Sequence, residues 1–594
     1  MNRLRQWISA NREVLVLMSV VLVLTSIPFI DIRVMLGDAW EGIFPVFTDE
    51  SLYEARAQTL VHGHTGGNPY FLEHADGPPL VIFGGAWLNA IPQRLGLPFE
   101  AATVLNFILW SLLFALAGYG LLRELAAPPW IAVGGTILAY LESYAHIWRP
   151  VNLQPVYPLY LLFYLGLARL IRSPNRRTVW LVGITAGASF YLYAFLWQTV
   201  VITLGLLFLY TLARRQWPLM RATLGASCIG GVIGLPVPLY MLWLSFASPY
   251  YWESMGRLGL VNTHLPMAEV IYSGGWIGVL LVLLGFFWWK SSLYEGDELF
   301  RYLTLFTIFS GLGLWIMQGS NLITGKLLET GEHLRILIVL WFLLMSVAVG
   351  ANLWRTRAQY SHSVRWIALV FMFVVVGANG YFINEYFAPF LPSAIDPAAW
   401  QAEEQLAGPF TWLETHEPAP VVVWIEPRDI GSTLLPVYTK HFTLYSFWGA
   451  LELVSEQEVR ERYLVSQYFN RPTAASLERR DNMEIYLGRA DLAHKAGSFA
   501  RAVRVCKLVF FWDRTHDCGT ISTPRGLLGE AFFVNLAHEF EYTIAPHIKE
   551  YLAKYHVRYL LTDTVQDTAY RPATLGATLV YTNGRYDLYR LPLP

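Results

Sequence analysis

Apolar runs long enough to cross a bilayer as helices recur through the first two thirds of the chain, separated by short polar clusters. They lie at Val14 to Ile30, Ala101 to Leu122, Trp130 to Ile147, Leu153 to Ile171, Val179 to Tyr191, Trp197 to Leu212, Met220 to Leu244, Trp276 to Trp289, Tyr302 to Gln318, Leu334 to Leu353 and Trp366 to Phe382. A helix rises about 1.5 Å per residue, so the pattern predicts about eleven spans. The first run follows Arg3, Arg5 and Arg12 and precedes no small-residue cleavage site, which predicts an uncleaved signal anchor with a cytoplasmic start.

Positive charge sets the rest of the orientation. Arg172, Arg176 and Arg177 precede the runs between Val179 and Leu212, and Arg214, Arg215 and Arg221 follow them. Both clusters belong inside, so two crossings with an outer turn at Tyr193 to Leu196 are predicted rather than one overlong helix. The same parity keeps Lys290, Arg301, Arg355, Arg357 and Arg365 in the cytoplasm. It puts the loops Asp31 to Glu100, Ser245 to Gly275 and Gly319 to His333 outside.

From about Phe390 the apolar runs shrink to strand length and charges become frequent, so a membrane domain over 1–388 and a soluble domain over 389–594 are predicted. By parity the soluble domain is extracytoplasmic. Val421 to Ile425, Phe442 to Tyr445, Leu508 to Phe511 and Val557 to Thr562 read as strands, and Ser455 to Tyr468 as a helix. Asn583-Gly584 between two alternating runs is the turn of a tight hairpin. The fold class is therefore mainly α, a polytopic helix bundle followed by an α/β or α+β domain.

Composition agrees. The 594 residues are 55% hydrophobic and 15% charged, where a soluble domain carries roughly a quarter charged residues. A net charge of -1 gives no general attraction to nucleic acid, and three cysteines exclude a disulfide-rich scaffold. The location expected is a plasma (inner) membrane of prokaryotic type. Cys506 and Cys518, in an extracytoplasmic domain, flank an apolar arm and a polar turn and are expected to pair, with Cys228 free in the seventh span.

Ionisable groups at the outer ends of spans are the candidates for chemistry. The first outer loop reads Phe47-Thr48-Asp49-Glu50-Ser51-Leu52-Tyr53-Glu54-Ala55-Arg56, then His62, His64, Asn68, Glu73, His74 and Asp76-Gly77-Pro78-Pro79. With Thr48 as a cap, Asp49, Tyr53 and Arg56 share one helix face. The plainer reading makes Asp49 and Glu50 first-turn acids favoured by the helix dipole. Among the cations, Arg149 follows the third span beside His146, Arg257 lies in the fourth outer loop, and His333 and Arg335 open the tenth span. His62 and His64 are weak candidates for a divalent metal, their spacing being unspecific.

The order of first span, acidic pair early in a long outer loop, Pro78-Pro79 and a bundle of spans resembles the GT-C superfamily of membrane glycosyltransferases. That superfamily includes protein O-mannosyltransferases and the aminoarabinose transferases of lipid A. The resemblance implies a polyprenyl-phosphate-linked sugar as donor and a glycan, lipid or protein as acceptor. It implies Asp49, supported by Glu50, as the catalytic carboxylate. Two departures stand out: the tryptophan- and aspartate-rich motif of oligosaccharyltransferases is absent, and Gly77 stands where many relatives carry a basic residue before the proline pair. The donor phosphate is then expected to meet Arg335 and His333, with Arg149 and Arg257 beside them. The competing class is a transporter or flippase, for which Gln154 and Pro236 are the few mid-membrane polar or helix-breaking residues found.

Overall fold

The computed structural model describes residues 11–592 apart from position 48, residues within 263–267, residues 291–297, position 329, most of 357–390, positions 480 and 484, and most of 487–527. The expected eleventh span, Trp366 to Phe382, falls largely outside the described residues, as do Thr48, Cys506 and Cys518. Cys228 is exposed and free.

Among the described residues five helices are long and apolar enough to cross a membrane: Arg12–Ala39, Phe99–Glu124, Ala194–Ala213, Glu298–Gln318 and His333–Arg355. A sixth span arises if Trp217–Gly234 and Pro236–Ala247, bent by 43° at their junction, are taken together. The third, fourth and fifth expected spans are helical but shorter or more polar, and the eighth lies in helix Ala268–Lys290. The third breaks at Ser143 into Pro129–Glu142 and Tyr144–Trp148, and the fourth, Leu153–Arg172, is tyrosine-rich and almost wholly buried. The first helix continues through Asp31 to Leu36, past its expected end at Ile30. Tyr193, extended at φ -158 and ψ 122, separates helix Arg176–Leu192 from Ala194–Ala213, so the stretch is two helices, with a one-residue break where a four-residue turn was expected.

Small and polar residues hold the bundle where lipid offers no hydrophobic drive between helices. Gly183 and Gly187 face Ile229 and Ile233 so closely that a Cβ on either glycine would lie within 2.7 Å of the isoleucine. The Tyr140 hydroxyl meets Thr25 Oγ1 at 3.1 Å and Ser111 Oγ at 3.1 Å, tying three helices together.

The C-terminal domain carries a five-stranded mixed sheet of order β4-β3-β5-β7-β6, from β3 (Val422–Trp424), β4 (Phe442–Thr443), β5 (Val557–Asp563), β6 (Thr578–Thr582) and β7 (Tyr586–Arg590). β3 runs parallel to β4 and to β5, while β7 is antiparallel to β5 and β6. The hairpin turns at Gly584, whose φ of +93° only glycine adopts readily. Asn583 Oδ1 accepts from the amides of Arg585 and Tyr586. Helix Glu456–Ser466 is capped by Ser455 Oγ, which accepts from the Glu458 amide at 3.2 Å. The strand expected at Leu508 to Phe511 does not form: Lys507 and Leu508 are helical and Phe510 to Trp512 lie in a turn. An apolar run makes a strand only where a neighbouring strand pairs with it, and none does here among the described residues.

The first outer loop and the C-terminal domain share one core. Leu52, Tyr53, Leu60, Tyr70 and Phe71 pack with Val422, Trp424, Phe442, Tyr445 and Leu464. Polar contacts close the seam. Arg56 donates twice to Glu452 Oε1, at 2.8 and 2.5 Å, and Asn68 Nδ2 donates to the Gly449 carbonyl at 2.8 Å. The amide of Thr443 donates to the Tyr70 carbonyl at 3.0 Å, which occupies the edge of β4. Gly449 is obligatory there, since a Cβ would sit 2.8 Å from that of Tyr70. The other two outer loops join the same assembly through an antiparallel ribbon of β1 (Leu260–Asn262) and β2 (Lys326–Leu328).

Candidate functional site

Helix Glu50–Val61 is buried at every position from Glu50 to Leu60, because the bundle covers one side and the C-terminal domain the other. Asp49 stands at the N-cap, and its side chain makes no capping bond. It forms an ion pair with Arg149, Nη2 donating to Oδ1, and the two side chains are only 20% and 14% exposed.

Arg149 follows the short helix Tyr144–Trp148. Burial disfavours its charge, but the Asp49 carboxylate, the neighbouring Tyr53 phenol and Glu50 outweigh that penalty and hold its pKa above the usual arginine value. Among the described residues its buried Nε has no hydrogen-bond partner, leaving one donor beside the carboxylate. The ring of Tyr53 lies between two guanidinium groups, 5.6 Å from that of Arg56 and 6.0 Å from that of Arg149.

His146, one turn before Arg149, is buried within electrostatic reach of Arg149, Arg335 and His333. Glu142, one turn earlier and 2% exposed, accepts from Ser143 Oγ at 3.0 Å and also feels the charge of Arg335. His333 is fixed from two sides: the Tyr193 hydroxyl is 2.7 Å from Nδ1, and the Phe195 ring stacks on the imidazole at 4.9 Å and 9°. Arg335 is exposed on a helix whose following turns are buried. Arg149, His333 and Arg335 are thus all electrostatic neighbours of the buried His146, and Asp49 joins Arg149 through its ion pair.

Arg257 is not among them. Its Nε donates to the Ala450 carbonyl at 2.8 Å, Nη1 to Glu456 at 3.0 Å, and Nη2 to Ser254 Oγ and the Val454 carbonyl. It bolts the fourth outer loop to the C-terminal domain, and four of its five N–H donors are committed to that loop and domain. The loop histidines are also engaged. His64 meets Asp76 at 3.1 Å, His74 meets Glu458 at 2.9 Å, and Glu73 accepts from the buried Arg462 at 2.5 Å, while His62 is exposed at the helix end. Among the described residues no three His, Cys, Asp or Glu side chains gather as a metal site.

Two carboxyls were overlooked in the sequence. Glu142 is an acid inside an apolar run, which by itself marks a functional position in a span. Glu54 lies one turn after Glu50, and the two line a small cavity with Phe107, Trp148 and Gln154. Burial, reinforced by the charge of Glu50, pushes Glu54 up to about 8. Gln154, noted in the sequence only as a mid-membrane polar residue, is 1% exposed and its Oε1 has no partner.

No protein-family profile matches the chain, and no curated protein matches it. The chain is similar to the crystal structure of ArnT from Cupriavidus metallidurans bound to undecaprenyl phosphate, at 14% identity and a TM-score of 0.42, over 98% of each chain. It is similar to the apo structure of the same protein at 14% identity and a TM-score of 0.40, again over 98% of each chain.

Proposed function

We propose that the chain is an integral membrane glycosyltransferase of the GT-C type. It moves a single sugar from a polyprenyl-phosphate donor to a hydroxyl of an extracytoplasmic glycan, lipid or protein. The observation that carries this reading is the Asp49–Arg149 pair, with a spare guanidinium donor and His333 and Arg335 nearby.

Transfer needs a base for the acceptor hydroxyl and positive charge for the departing lipid phosphate. The acceptor oxygen bonds to the anomeric carbon as the bond from that carbon to the phosphate oxygen breaks. The bonding electrons leave on the phosphate, and the hydroxyl proton passes to Asp49. Arg149 holds the carboxylate in place through Nη2 and has Nε left for a phosphate oxygen. Arg335 and His333 face the same charge, with Tyr193 and Phe195 orienting the imidazole. Glu50 supports Asp49 by helping to set the charge of Arg149. No step requires His62, His64 or a metal.

A transporter would need helix breaks in matching halves. Among the described residues one bent pair of helices long enough to span is found, at Leu235-Pro236. The deciding experiment measures cell-surface glycans and the lipid-linked sugar pool with and without the protein. Loss of a surface sugar with accumulation of its lipid-linked form supports transfer. An unchanged pool and unchanged glycans refute it.

A further inference from the structure

The small cavity behind the start of helix Glu50–Val61 has no part in the transfer step. Glu50 and Glu54, one turn apart on that helix, line it together with Gln154, near the start of helix Leu153–Arg172. All three side chains are buried, at 2%, 5% and 1% exposure. Among the described residues Gln154 Oε1 has no hydrogen-bond partner. Pro45 and Pro150, in the same lining, have no N–H to offer it. Glu50 Oε2 accepts from the Phe47 amide at 3.1 Å, which helps to fix that carboxyl.

The cavity has room for about one water molecule. A water has hydrogens for only two of these three acceptor groups, and it offsets none of the charge of two buried carboxylates. Arg149, whose field reaches Glu50, is already neutralised by Asp49, and Arg56 by Glu452. A hard divalent ion meets both needs, because carboxylate and amide oxygens are the ligands such ions take. Mg2+ gives up its waters reluctantly and demands an octahedron, which so small a space does not allow. Ca2+ accepts an irregular cage of carboxylate and carbonyl oxygens.

We propose that Glu50, Glu54 and the side-chain carbonyl of Gln154 form a Ca2+ site. The ion ties the helix that begins beside Asp49 to helix Leu153–Arg172, and so fixes the place of Asp49 without touching the reacting atoms. In the cation-free protein a proton on Glu54 takes its place, since burial and the charge of Glu50 push that carboxyl up to about 8. Binding of the ion is measured without turnover, so its failure and a failure of the transferase reading are told apart.

The test uses the full chain in phosphatidylcholine nanodiscs, stripped with EDTA and then titrated with Ca2+, or with Tb3+ as its luminescent stand-in. Trp148 lines the cavity and should sensitise the Tb3+ emission, which Ca2+ displaces and an equal concentration of Mg2+ does not. Trp148→Phe is expected to remove most of that emission and to leave Ca2+ binding, followed by equilibrium dialysis, in place. Glu54→Gln should weaken Ca2+ binding about tenfold or more, and Gln154→Leu several-fold. Melting curves of the stripped proteins show that both variants are folded, and Ca2+ should raise the melting temperature of the wild type alone. Absence of Ca2+ binding would overturn the proposal. So would equal Ca2+ affinity in wild type, Glu54→Gln and Gln154→Leu, or Mg2+ binding as tight as that of Ca2+.

Discussion

Asp49 and Arg149 are 100 residues apart in the chain and joined in an ion pair, one at the start of a buried helix and the other just beyond the end of a short one. Neither charge has water enough to be solvated alone, so each is the condition for burying the other. Asp49→Asn is expected to lower transfer by a factor on the order of 100 to 10,000 and to leave the protein folded. Activity of the purified variant, beside its melting curve, checks both parts. Arg149→Lys should keep part of the activity and Arg149→Ala almost none, since lysine restores the charge without the fork of donors.

Arg335 and His333 are predicted to act on the donor alone. Arg335→Ala should weaken binding of a polyprenyl-phosphate analogue and leave acceptor affinity unchanged, with Arg335→Lys intermediate. Tyr193→Phe removes the hydroxyl 2.7 Å from His333 Nδ1 and should weaken donor binding by loosening the imidazole. Direct binding measurements decide this, and equal donor affinity in wild type and Arg335→Ala would refute the assignment.

Arg257 gives the opposite signature. Its substitution by alanine leaves the Ala450 and Val454 carbonyls without their donor, at a cost of about 3 kcal/mol. The expected result is a lower melting temperature with unchanged donor affinity in the fraction that remains folded.

Glu54 should make the protein less stable as pH rises. Its carboxyl keeps a proton up to about 8, whereas in the unfolded chain it ionises near 4.5. Between those values the folded state binds more protons, so stability is full below the lower value and declines toward the upper one. Glu54→Gln should flatten the dependence of melting temperature on pH across that window. A slope identical to wild type would show that Glu54 is ionised when folded.

Glu458 runs the other way. Burial alone would raise its pKa, but the hydrogen bond from His74 and the charge of Arg462 hold it down at about 2. Its stabilising contribution is present above about 4.5 and lost as pH falls toward 2. Acid should therefore loosen the seam between the first outer loop and the C-terminal domain. Hydrogen exchange in helix Glu456–Ser466 reports it, and Glu458→Gln should abolish the acid-dependent part.

What the sequence made legible follows the range of the forces involved. Most apolar runs, the Asn583-Gly584 hairpin and the helix that begins after Ser455 are local, and they appear within a few residues of where the pattern puts them. Asp49 was legible as an acid at a helix start, and Arg149 as a cation after a span. Their pairing was not, because nothing local records a contact made across 100 residues. Arg257 looked like a free outer cation because its partners, Ala450, Val454 and Glu456, lie in another domain. Helix Glu50–Val61 defeats periodicity for the same reason, since Arg56 meets Glu452 and the apolar residues beside it pack on a domain that the chain supplies much later.

The common core of that helix and the C-terminal domain has a bearing on biogenesis. Arg56 emerges during synthesis 396 residues before Glu452, the carboxylate that neutralises it. Until then a helix with Glu50, Glu54, Arg56 and Gln58 lacks the domain that covers one of its sides, and it is too short to hold together by itself in water. The first outer loop is thus expected to take its final shape only after the C-terminal domain is made, and a chain that stops before that domain is expected to leave helix Glu50–Val61 covered on one side alone.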